Sequence, residues 1–246
     1  MFEVEKEIEK ICDFVRDYYQ KNNLTGAVIG ISGGKDSAVV AALLCKALGS
    51  ENVYGLALPC HSKDEDLEDA KLISNHYGFP LVKFDLTSTY DSFINEVGSL
   101  TGDTNYDNAN QNLKPRLRMS TLYYFASMLS SNGKRYIVAG TSNKSELFVG
   151  YFTKGGDSTH DIDLIADFTV SEVIKIGEAL GVPEKVLYKA PSDGLSGKTD
   201  EDKLGVTYQN IEDYIYNREL DIETKEKVKR LHENSSHKFN IPTYRR

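Results

Sequence analysis

Two patterns of apolar residues alternate along this chain: short continuous apolar runs, and longer amphipathic segments. Four short runs are continuous and apolar, as expected of strands that are buried on both faces of a sheet. They are "GAVIGIS" (26–32), "NVYGLALP" (52–59), "PLVKFDL" (80–86) and "RYIVAGT" (135–141). Amphipathic segments with helical spacing separate these runs and also precede the first one. Strands that alternate with helices predict an α/β fold in three layers, with a mainly parallel sheet between two layers of helices.

Several predicted helices carry sequence signals at their ends. Gly49 closes the helix that follows the first strand, because glycine readily adopts the backbone conformation found just beyond a helix. Ser62 with Glu65, and Thr169 with Glu172, have the spacing of capping boxes. These signals predict helices that begin near residues 62 and 169.

Polar segments separate these elements and are expected to frame a site at the carboxyl ends of the strands. Pro115 suits the first turn of a helix that ends near residue 131. The segment 143–163 is predicted to be a long loop punctuated by glycines. The segments 81–112 and 190–204 are expected to be mobile, as loops around sites often are.

Composition and charge narrow the class of protein. The chain has 246 residues, of which 40% are hydrophobic, and we interpret residues 1–246 as a single domain. Its formal net charge of −8 argues against bulk electrostatic binding of nucleic acid or of an anionic membrane. The acidic N-terminus is unlike a signal peptide, and no apolar run approaches the roughly 20 residues of a membrane helix. The three cysteines form no paired motif. We therefore expect a cytoplasmic protein that binds neither nucleic acid nor membranes.

The turn between the first strand and its helix has the composition of a phosphate-binding loop. It reads "SGGKDS" (32–37). Glycines after a strand let backbone N–H groups converge on an anion, and the N-terminus of the helix adds positive potential. The spacing matches neither a Walker A loop nor a dinucleotide GxGxxG motif. An acidic residue beside phosphates suits a Mg²⁺ ion between them, so Asp36 is our first predicted metal ligand. The alternative is a plain strand–turn–helix.

The same string resembles the pyrophosphate loop of the ATP pyrophosphatases, and the segments that follow resemble the ammonia-dependent NAD synthetases within that superfamily. The resemblance spans nearly the whole chain, and "GYFTKGGD" is its most specific run. The other segments that carry it are "NANQNLKPRLRM" (108–119), "GTSNKSELFVGYFTKGGDSTHDID" (140–163), "APSDGLSGKTDEDKLGVTY" (190–208) and "SSHKFNIP" (235–242).

This resemblance implies a Rossmann-like fold of the adenine nucleotide alpha-hydrolase-like type. It also implies a ligase that forms a C–N bond between ammonia and the nicotinate carboxylate of deamido-NAD. ATP would activate that carboxylate as an acyl-adenylate, and AMP and pyrophosphate would be released. The implied cofactor is Mg²⁺, and the implied assembly is a homodimer.

The resemblance assigns roles to individual positions. Asp36 and Glu146 would bind Mg²⁺. Asp36, Lys154 and Asp157 would take part in catalysis, with Asp157 beside the reacting centre, where it would help ammonium lose its proton or guide a second metal. The positions that would bind ATP are Gly30, Ile31, Ser32, Gly33, Gly34, Lys35, Asp36, Ser37, Thr141 and Ser192. The positions that would bind deamido-NAD are Arg116, Lys154, Asp161, His237 and Lys238.

Each assignment has a structural alternative. Glu146 is also explained as a glutamate at the start of a helix, and Ser192 as a capping serine. Asp157 is also explained as a turn former. The basic residues are also explained as solvated surface charges.

The chain departs from its relatives at a few positions. Asp163-Leu164 stands where many relatives have asparagine or leucine followed by proline. Val170 replaces a lysine that contacts ATP in many members of the family. The loop 192–197 is one residue shorter than usual, and Phe239 follows the His-Lys pair where arginine is more usual. These departures affect the details of substrate contact and leave the phosphate-binding loop and Glu146 intact.

Three other functions compete with this interpretation. Glutamine-dependent NAD synthesis needs a glutaminase, which a chain of this length does not accommodate, so a separate glutaminase would have to supply the ammonia. A tRNA-modifying member of the superfamily would be expected to carry a cysteine pair and a basic extension. A nucleotide sensor without catalysis is supported only by Val170, while Asp36 and Glu146 argue against it.

Overall fold

A five-stranded parallel sheet forms the middle layer of the computed structural model, which describes residues 2–189, 199–240 and 242–245. The strands are β1 (Gly26–Gly30), β2 (Val53–Ala57), β3 (Leu81–Lys83), β4 (Tyr136–Gly140) and β5 (Ile162–Asp163). The helices are α1 (Val4–Asn22), α2 (Lys35–Leu48), α3 (Asp64–Tyr77), α4 (Thr87–Thr101), α5 (Asp107–Leu129), α6 (Lys144–Val149), α7 (Val170–Leu180), α8 (Glu184–Leu187), α9 (Asp200–Leu204), α10 (Tyr208–Ile215) and α11 (Ile222–Phe239). The predicted α/β class and the four predicted strands are confirmed.

The central strand β1 shows why the sheet has helices on both faces. Successive residues of a strand point to opposite faces. Ile29 therefore packs with α1, α2 and α7, whereas Val28 packs with Leu56, Val138 and the apolar side of α5. Val28 and Ile29 are both fully buried. Replacing Ile29 by alanine would cost about 2–5 kcal/mol of stability, because the well-packed interior would not close the gap.

The order of the strands fixes the location of the site. The sheet has the order β3-β2-β1-β4-β5, so β1 pairs with β2 on one side and with β4 on the other. The connection after β1 leads to β2 on one side and the connection after β4 leads to β5 on the other, so a crevice opens at the carboxyl ends of β1 and β4. The phosphate-binding loop follows β1, and Thr141 follows β4 directly.

A third apolar cluster attaches the C-terminal helices to this edge of the sheet. Val149, Ile211 and Val228, from α6, α10 and α11, are buried together. Tyr208 is part of the same cluster. The cluster brings the C-terminal helices close to the segment that follows β4.

The capping predictions have two outcomes. The backbone N–H of Thr169 donates to Glu172 Oε2 at 2.9 Å, which confirms the box at the start of α7. The box predicted from Ser62 and Glu65 is wrong, because α3 begins after Lys63 without a side-chain cap. Ser62 Oγ instead accepts a hydrogen bond from the backbone of the neighbouring loop.

The polar segments contain more regular structure than the sequence predicts. Pro115 lies inside α5, which begins eight residues earlier at Asp107, so the predicted helix start is wrong. The later turns of α5 pack on the sheet, and this packing offsets the one backbone hydrogen bond that proline removes. The segment 81–112 contains the predicted strand β3 and a helix, α4, and it also contains the start of α5, whereas 143–163, predicted to be a loop, contains α6 and β5. None of the described helices has the length and apolarity that a membrane span requires.

Candidate active site

The loop after β1 is shaped by its own serines. Ser37 Oγ accepts a hydrogen bond from the backbone N–H of Ser32 at 3.2 Å and lies 3.1 Å from Ser32 Oγ. It donates to the carbonyl of Gly34 at 3.0 Å, and the N–H of Gly34 approaches Ser32 Oγ at 3.2 Å. We call residues 30–37 the phosphate loop. Ser32 and the N-terminus of α2 line one cavity, as an anion site requires, whereas Ser37 is 3% exposed, lies outside that lining and holds the loop in shape.

Two acidic residues of α3, paired with lysines in α8 and just after it, lie against the outer side of the phosphate loop. Gly33 has φ +80°, and a Cβ at this position would lie 2.4 Å from the carbonyl oxygen of Asp66. Lys189 Nζ lies 2.8 Å from Asp66 Oδ1 and 2.7 Å from Asp69 Oδ2. Lys185 Nζ pairs with the other oxygen of Asp69 at 2.6 Å. Burial raises the pKa of Asp69, but hydrogen bonds from the two lysines outweigh it, so the net pKa is lowered.

Two acidic side chains meet beside the phosphate loop. Asn143 Nδ2 donates to Asp36 Oδ1 at 3.2 Å, and the N–H of Asn143 donates to Glu146 Oε2 at 3.1 Å. Asn143 is fully buried, and through these two hydrogen bonds it links both carboxylates. Burial, followed by the negative charge of Asp36, raises the pKa of Glu146 well above its usual value, and Lys35 opposes that rise.

Lys35 provides the positive charge in this cluster. Its side chain is 6% exposed, and Nζ lies 2.9 Å from Asp36 Oδ2. Burial lowers the pKa of Lys35, but Asp36 and Glu146 outweigh this effect and raise it. The ring of Tyr208 lies 5.9 Å from the ammonium on another side. The first residue of α2 is thus a buried cation between two acids and an aromatic ring.

The donor set of Asp36 and Glu146 suits Mg²⁺ better than a metal held by protein ligands alone. Among the described residues, no group of three acidic, histidine or cysteine side chains could hold a metal by itself. Mg²⁺ commonly uses one or two carboxylates together with water and substrate phosphates. Two neighbouring carboxylates beside the phosphate-binding backbone fit this pattern, because a divalent cation would relieve the repulsion that raises the pKa of Glu146.

A cavity of about 380 Å³ lies between these groups. One wall is apolar and includes Leu56, Met119 and Val138. The polar wall contains ten of the predicted positions and several other residues. The predicted positions in the lining are Gly30, Ile31, Ser32, Gly33, Gly34, Lys35, Asp36, Thr141, Glu146 and Asp157.

The basic residues predicted to bind deamido-NAD form a separate network. Arg116 Nε and Nη2 donate to the carbonyl of Lys154 at 3.3 and 3.2 Å. Lys154 Nζ donates to the carbonyl of His237 at 3.2 Å. Lys238 Nζ donates to the carbonyls of Gly150 and Phe152 at 2.6 and 2.7 Å. We call Arg116, Lys154 and Lys238 the carbonyl clamp, because each donates to backbone oxygens of a distant segment.

Two acidic residues of the 150–163 segment, Asp157 and Asp161, hold the backbone in place. Asp157 Oδ1 accepts a hydrogen bond from the N–H of Thr153 at 2.7 Å and lines the cavity. Asp161 accepts from the N–H of Val138 at 2.8 Å and from Tyr123 Oη at 3.0 Å. Asp161, His237 and the carbonyl clamp lie outside the described lining of the cavity.

Some positions fall outside the prediction or outside the described residues. Ser192 lies outside the described residues. Asn143, Arg118 and Lys189 were not predicted as site residues. The capping-box spacing of Asn143 and Glu146 is a signal that could have identified Asn143. Arg118 and Lys189 line the cavity through the packing of α5 and α8, for which the sequence has no local signal.

Comparisons with known proteins agree with this geometry. Residues 7–242 match the sequence profile of the NAD synthase family. An NH(3)-dependent NAD(+) synthetase of Carboxydothermus hydrogenoformans is 41% identical over 239 residues, which cover 97% of this chain and 96% of that one. An NMN synthetase structure from Francisella tularensis has a TM-score of 0.91 and 33% identity, with 100% of this chain and 99% of the other covered. An NH3-dependent NAD synthetase from Campylobacter jejuni, in complex with nitrate, has a TM-score of 0.79 and 30% identity over both whole chains. The chain therefore belongs to the NAD synthase family.

Proposed function

We propose that this protein is an ammonia-dependent NAD synthetase that amidates deamido-NAD at the expense of ATP. The observation that carries the proposal is the phosphate loop at the strand switch point, with Asp36 and Glu146 beside it in one cavity. Family membership and the curated NH(3)-dependent relatives support the same activity.

The chemistry explains why a triphosphate site is needed. A carboxylate is a poor acyl donor, because attack by ammonia would have to expel an oxide ion. Transfer of AMP to the nicotinate carboxylate of deamido-NAD gives a mixed anhydride with a good leaving group. The acceleration then comes from positioning and from stabilising the charge that develops on pyrophosphate.

The residues of the phosphate loop would bind and orient ATP. The hydroxyl of Ser32 and the N-terminus of α2 would hold the phosphates that leave as pyrophosphate, while Ser37 keeps the loop in shape. The apolar wall would accept the adenine ring, and Thr141 would contact the nucleotide from the end of β4. Lys35 would keep Asp36 and Glu146 together by neutralising part of their charge.

Asp36 and Glu146 would hold Mg²⁺, for which their donor chemistry is suited. When bound, the ion would supply positive charge next to the phosphates. Asn143 would fix the orientation of both carboxylates through its two hydrogen bonds.

The deamido-NAD site is proposed around the 150–163 segment. Asp157 lines the cavity and would lie beside the reacting carboxylate. The carbonyl clamp, Asp161 and His237 would then contact the diphosphate and the ribose groups. To reach a diphosphate, the clamp residues would exchange backbone carbonyls for phosphate oxygens, since both are hydrogen-bond acceptors.

A second candidate is amidation of the shorter nicotinate mononucleotide to NMN. It is favoured by the NMN synthetase structure, whose TM-score of 0.91 exceeds the 0.79 of the NAD synthetase structure. The carbonyl clamp also agrees with it, because a substrate without a second nucleotide needs no further cations for a diphosphate. The two candidates share the adenylation step and differ only in the acyl substrate.

A direct assay tests both candidates. Purified protein with ATP, Mg²⁺, ammonium and deamido-NAD should form NAD and AMP in equal amounts. Oxygen-18 in the substrate carboxylate should appear in AMP, and label found only in pyrophosphate would refute the adenylate. Parallel assays with nicotinate mononucleotide decide the substrate from the ratio of kcat/KM values. Replacing ammonium by purified glutamine should stop the reaction; turnover with glutamine would contradict ammonia dependence.

We also propose a cytoplasmic homodimer. All three cysteines are free thiols, as is usual in reducing compartments. Several large apolar side chains on α4 and α5 are exposed, and a second subunit would cover them. They include Phe93, Leu100, Tyr124 and Met128. Light scattering after size exclusion should give twice the monomer mass of 27.5 kDa.

A further inference from the structure

Arg118 on α5 is a cation in the cavity wall that has no role in the steps above. It lines the cavity together with Glu146 and Asp157. Its Nε donates to the backbone carbonyl of Leu58 at 3.1 Å, and Leu58 directly follows β2. This bond fixes the plane of the guanidinium at the edge of the sheet where the site lies.

The two terminal nitrogens of Arg118 are open to the cavity. Neither has a hydrogen-bond partner in the part of the chain that the structure describes, and neither is among the side-chain atoms there that are both buried and unpartnered. Both are therefore accessible to solvent, and since the side chain lines the cavity, an anion inside it can reach them. Two parallel N–H donors in one plane match the two oxygens of a carboxylate.

The other cationic side chains of the described lining are either paired with acids or exposed. They are Lys35, Lys63 and Lys189. The first is paired with Asp36 at 2.9 Å, and the last with two acids of α3 at 2.8 and 2.7 Å. Lys63 is exposed just before α3. Arg118 forms no ion pair with any described acidic residue, and burial lowers its pKa, as expected for a cation without a close counter-ion.

The location of Arg118 favours the acyl substrate as its ligand. A Cβ at Gly156 would lie 3.1 Å from Pro115 Cβ, so the turn of α5 before Arg118 packs directly against the backbone next to Asp157. Burial raises the pKa of Asp157, and Arg118 is among the groups that oppose this rise. Asp157 is the acid that the proposed function puts beside the reacting carboxylate. A second carboxylate there would be repelled unless a cation compensated, and Arg118 supplies that charge.

We propose that Arg118 binds the carboxylate of the acyl substrate through its two terminal nitrogens and thereby selects the acid over the amide product. The inference rests on the proposed amidation. In this position one carboxylate oxygen attacks the α-phosphorus of ATP and forms an O–P bond. The bond from that phosphorus to pyrophosphate breaks, and pyrophosphate leaves with the electron pair. Arg118 orients the carboxylate and donates to the oxygen that remains as the carbonyl.

The same geometry discriminates against the product. An amide offers one acceptor oxygen, whereas its NH₂ group is a donor and would face a donor of Arg118. The amide also lacks the negative charge that the guanidinium matches. The acid should therefore bind more tightly than the amide, and loss of Arg118 should remove this preference without weakening the binding of the amide.

Calorimetric titration measures this preference directly. The titrants are deamido-NAD and NAD, or nicotinate mononucleotide and NMN, whichever pair the wild type turns over. Mg²⁺ and α,β-methylene-ATP, which cannot be cleaved to AMP, are present throughout. Arg118→Gln should weaken binding of the acid by roughly 10- to 100-fold and of the amide by less than about threefold, because a charged hydrogen-bond pair is lost only with the acid. The matched control, Arg135→Gln, changes an exposed arginine before β4 and should alter neither affinity.

A second experiment tests the paired donors during turnover. Exchange of labelled pyrophosphate into ATP, dependent on the acyl substrate, reports adenylation alone. In Arg118→Ala the acid concentration that gives half-maximal exchange should rise by roughly 10- to 100-fold, while the KM for ATP stays within about twofold of wild type. Added guanidinium should restore exchange, because it returns planar donors to the vacated space, and methylammonium should restore less. Arg118→Lys, which keeps the charge without the planar donors, should lie between, and it makes the same comparison if a truncated side chain prevents folding.

The outcomes separate this inference from the proposed function. If the wild type shows no exchange with either acid, the proposed function itself fails. If the wild type exchanges, but Arg118→Gln and Arg118→Lys both keep the full preference for the acid, the assignment of Arg118 is overturned. It is also overturned if the affinities for acid and amide fall together, which indicates a structural role, or if the KM for ATP rises instead, which indicates contact with the triphosphate. Selective loss of affinity for the acid, with rescue by guanidinium, supports it.

Discussion

The phosphate loop and the carbonyl clamp both involve residues expected to bind phosphates, yet they are built differently. The hydrogen bonds that Ser32, Gly34 and Ser37 make within the phosphate loop join residues at most five positions apart. Those of the clamp join residues 38 to 88 positions apart. In the loop, the charge of Lys35 is balanced by Asp36, whereas the clamp cations donate to neutral carbonyls.

The phosphate loop and the carbonyl clamp therefore differ in how far each is preorganised to bind a ligand. The phosphate loop is held in shape by its own short hydrogen bonds, so in the proposed function it would bind triphosphate with little rearrangement. The clamp holds α5, the 150–154 segment and α11 together, and in the proposed function a dinucleotide would have to compete with those carbonyls. The free energy of binding at the clamp would therefore be partly offset by the contacts that are lost, and we expect the choice of acyl substrate to depend on the clamp more than on the loop.

The largest expected effect follows from removing one charge at the loop. Asp36→Asn should reduce AMP formation by roughly 10³-fold, since an electrostatic group next to the reacting phosphates is lost. Circular dichroism and the melting temperature should stay close to wild type. Asp167→Asn, an exposed acid, is the control and should retain full turnover. Normal turnover of Asp36→Asn would mean that the carboxylate is not a functional metal ligand.

The next effect concerns the clamp and the choice of acyl substrate. Arg116→Glu should raise the KM for deamido-NAD by roughly 10- to 100-fold and leave the KM for ATP nearly unchanged, because charge is reversed only at the dinucleotide side. Arg16→Glu on α1 serves as the control. A larger change in the KM for ATP would mean that the two sites have been exchanged. An unchanged KM for nicotinate mononucleotide would strengthen the second candidate function.

The sequence predicts the parts of the structure that depend on neighbouring residues and misses those that depend on contacts between distant segments. The strands, the phosphate loop and the Thr169 cap are predicted, because each depends on neighbouring residues. The start of α5 is not, because packing of its later turns overrides the signal of Pro115. The contact between Lys238 and Gly150 is not predicted either, since it depends on how α11 docks on α6. The resemblance assigns substrate-binding roles to the clamp residues, which stay predictions, and their carbonyl partners are visible only in the structure.

A smaller effect should appear in stability at the clamp. Lys238→Met removes two hydrogen bonds from a charged group and should lower the free energy of unfolding by about 3 kcal/mol. Backbone carbonyls do not titrate, so the loss should depend only weakly on pH, through the charge of Asp157, which also interacts with Lys238. Urea unfolding measures it, with Lys229→Met on the same helix as the control. A loss that varies strongly with pH would show that Lys238 pairs with an acid instead.

The smallest effect should come from the ion pairs behind the phosphate loop, and unlike the clamp it should depend strongly on pH. Asp69→Asn should lower the free energy of unfolding by about 2 kcal/mol at neutral pH, since hydrogen bonds to Lys185 and Lys189 are weakened. The pKa of Asp69 is lower in the folded state than its ordinary value. Its carboxylate therefore stabilises the fold above the ordinary pKa, and this stabilisation disappears as the pH falls through the lowered pKa.

Urea unfolding of wild type and variant at about pH 7, 5 and 3 should show a difference that is constant between the first two and shrinks at the third. Glu68→Gln, in an exposed pair on the same helix, should have little effect throughout. A difference that persists undiminished at the lowest pH would mean that Asp69 acts by its shape and not by its charge.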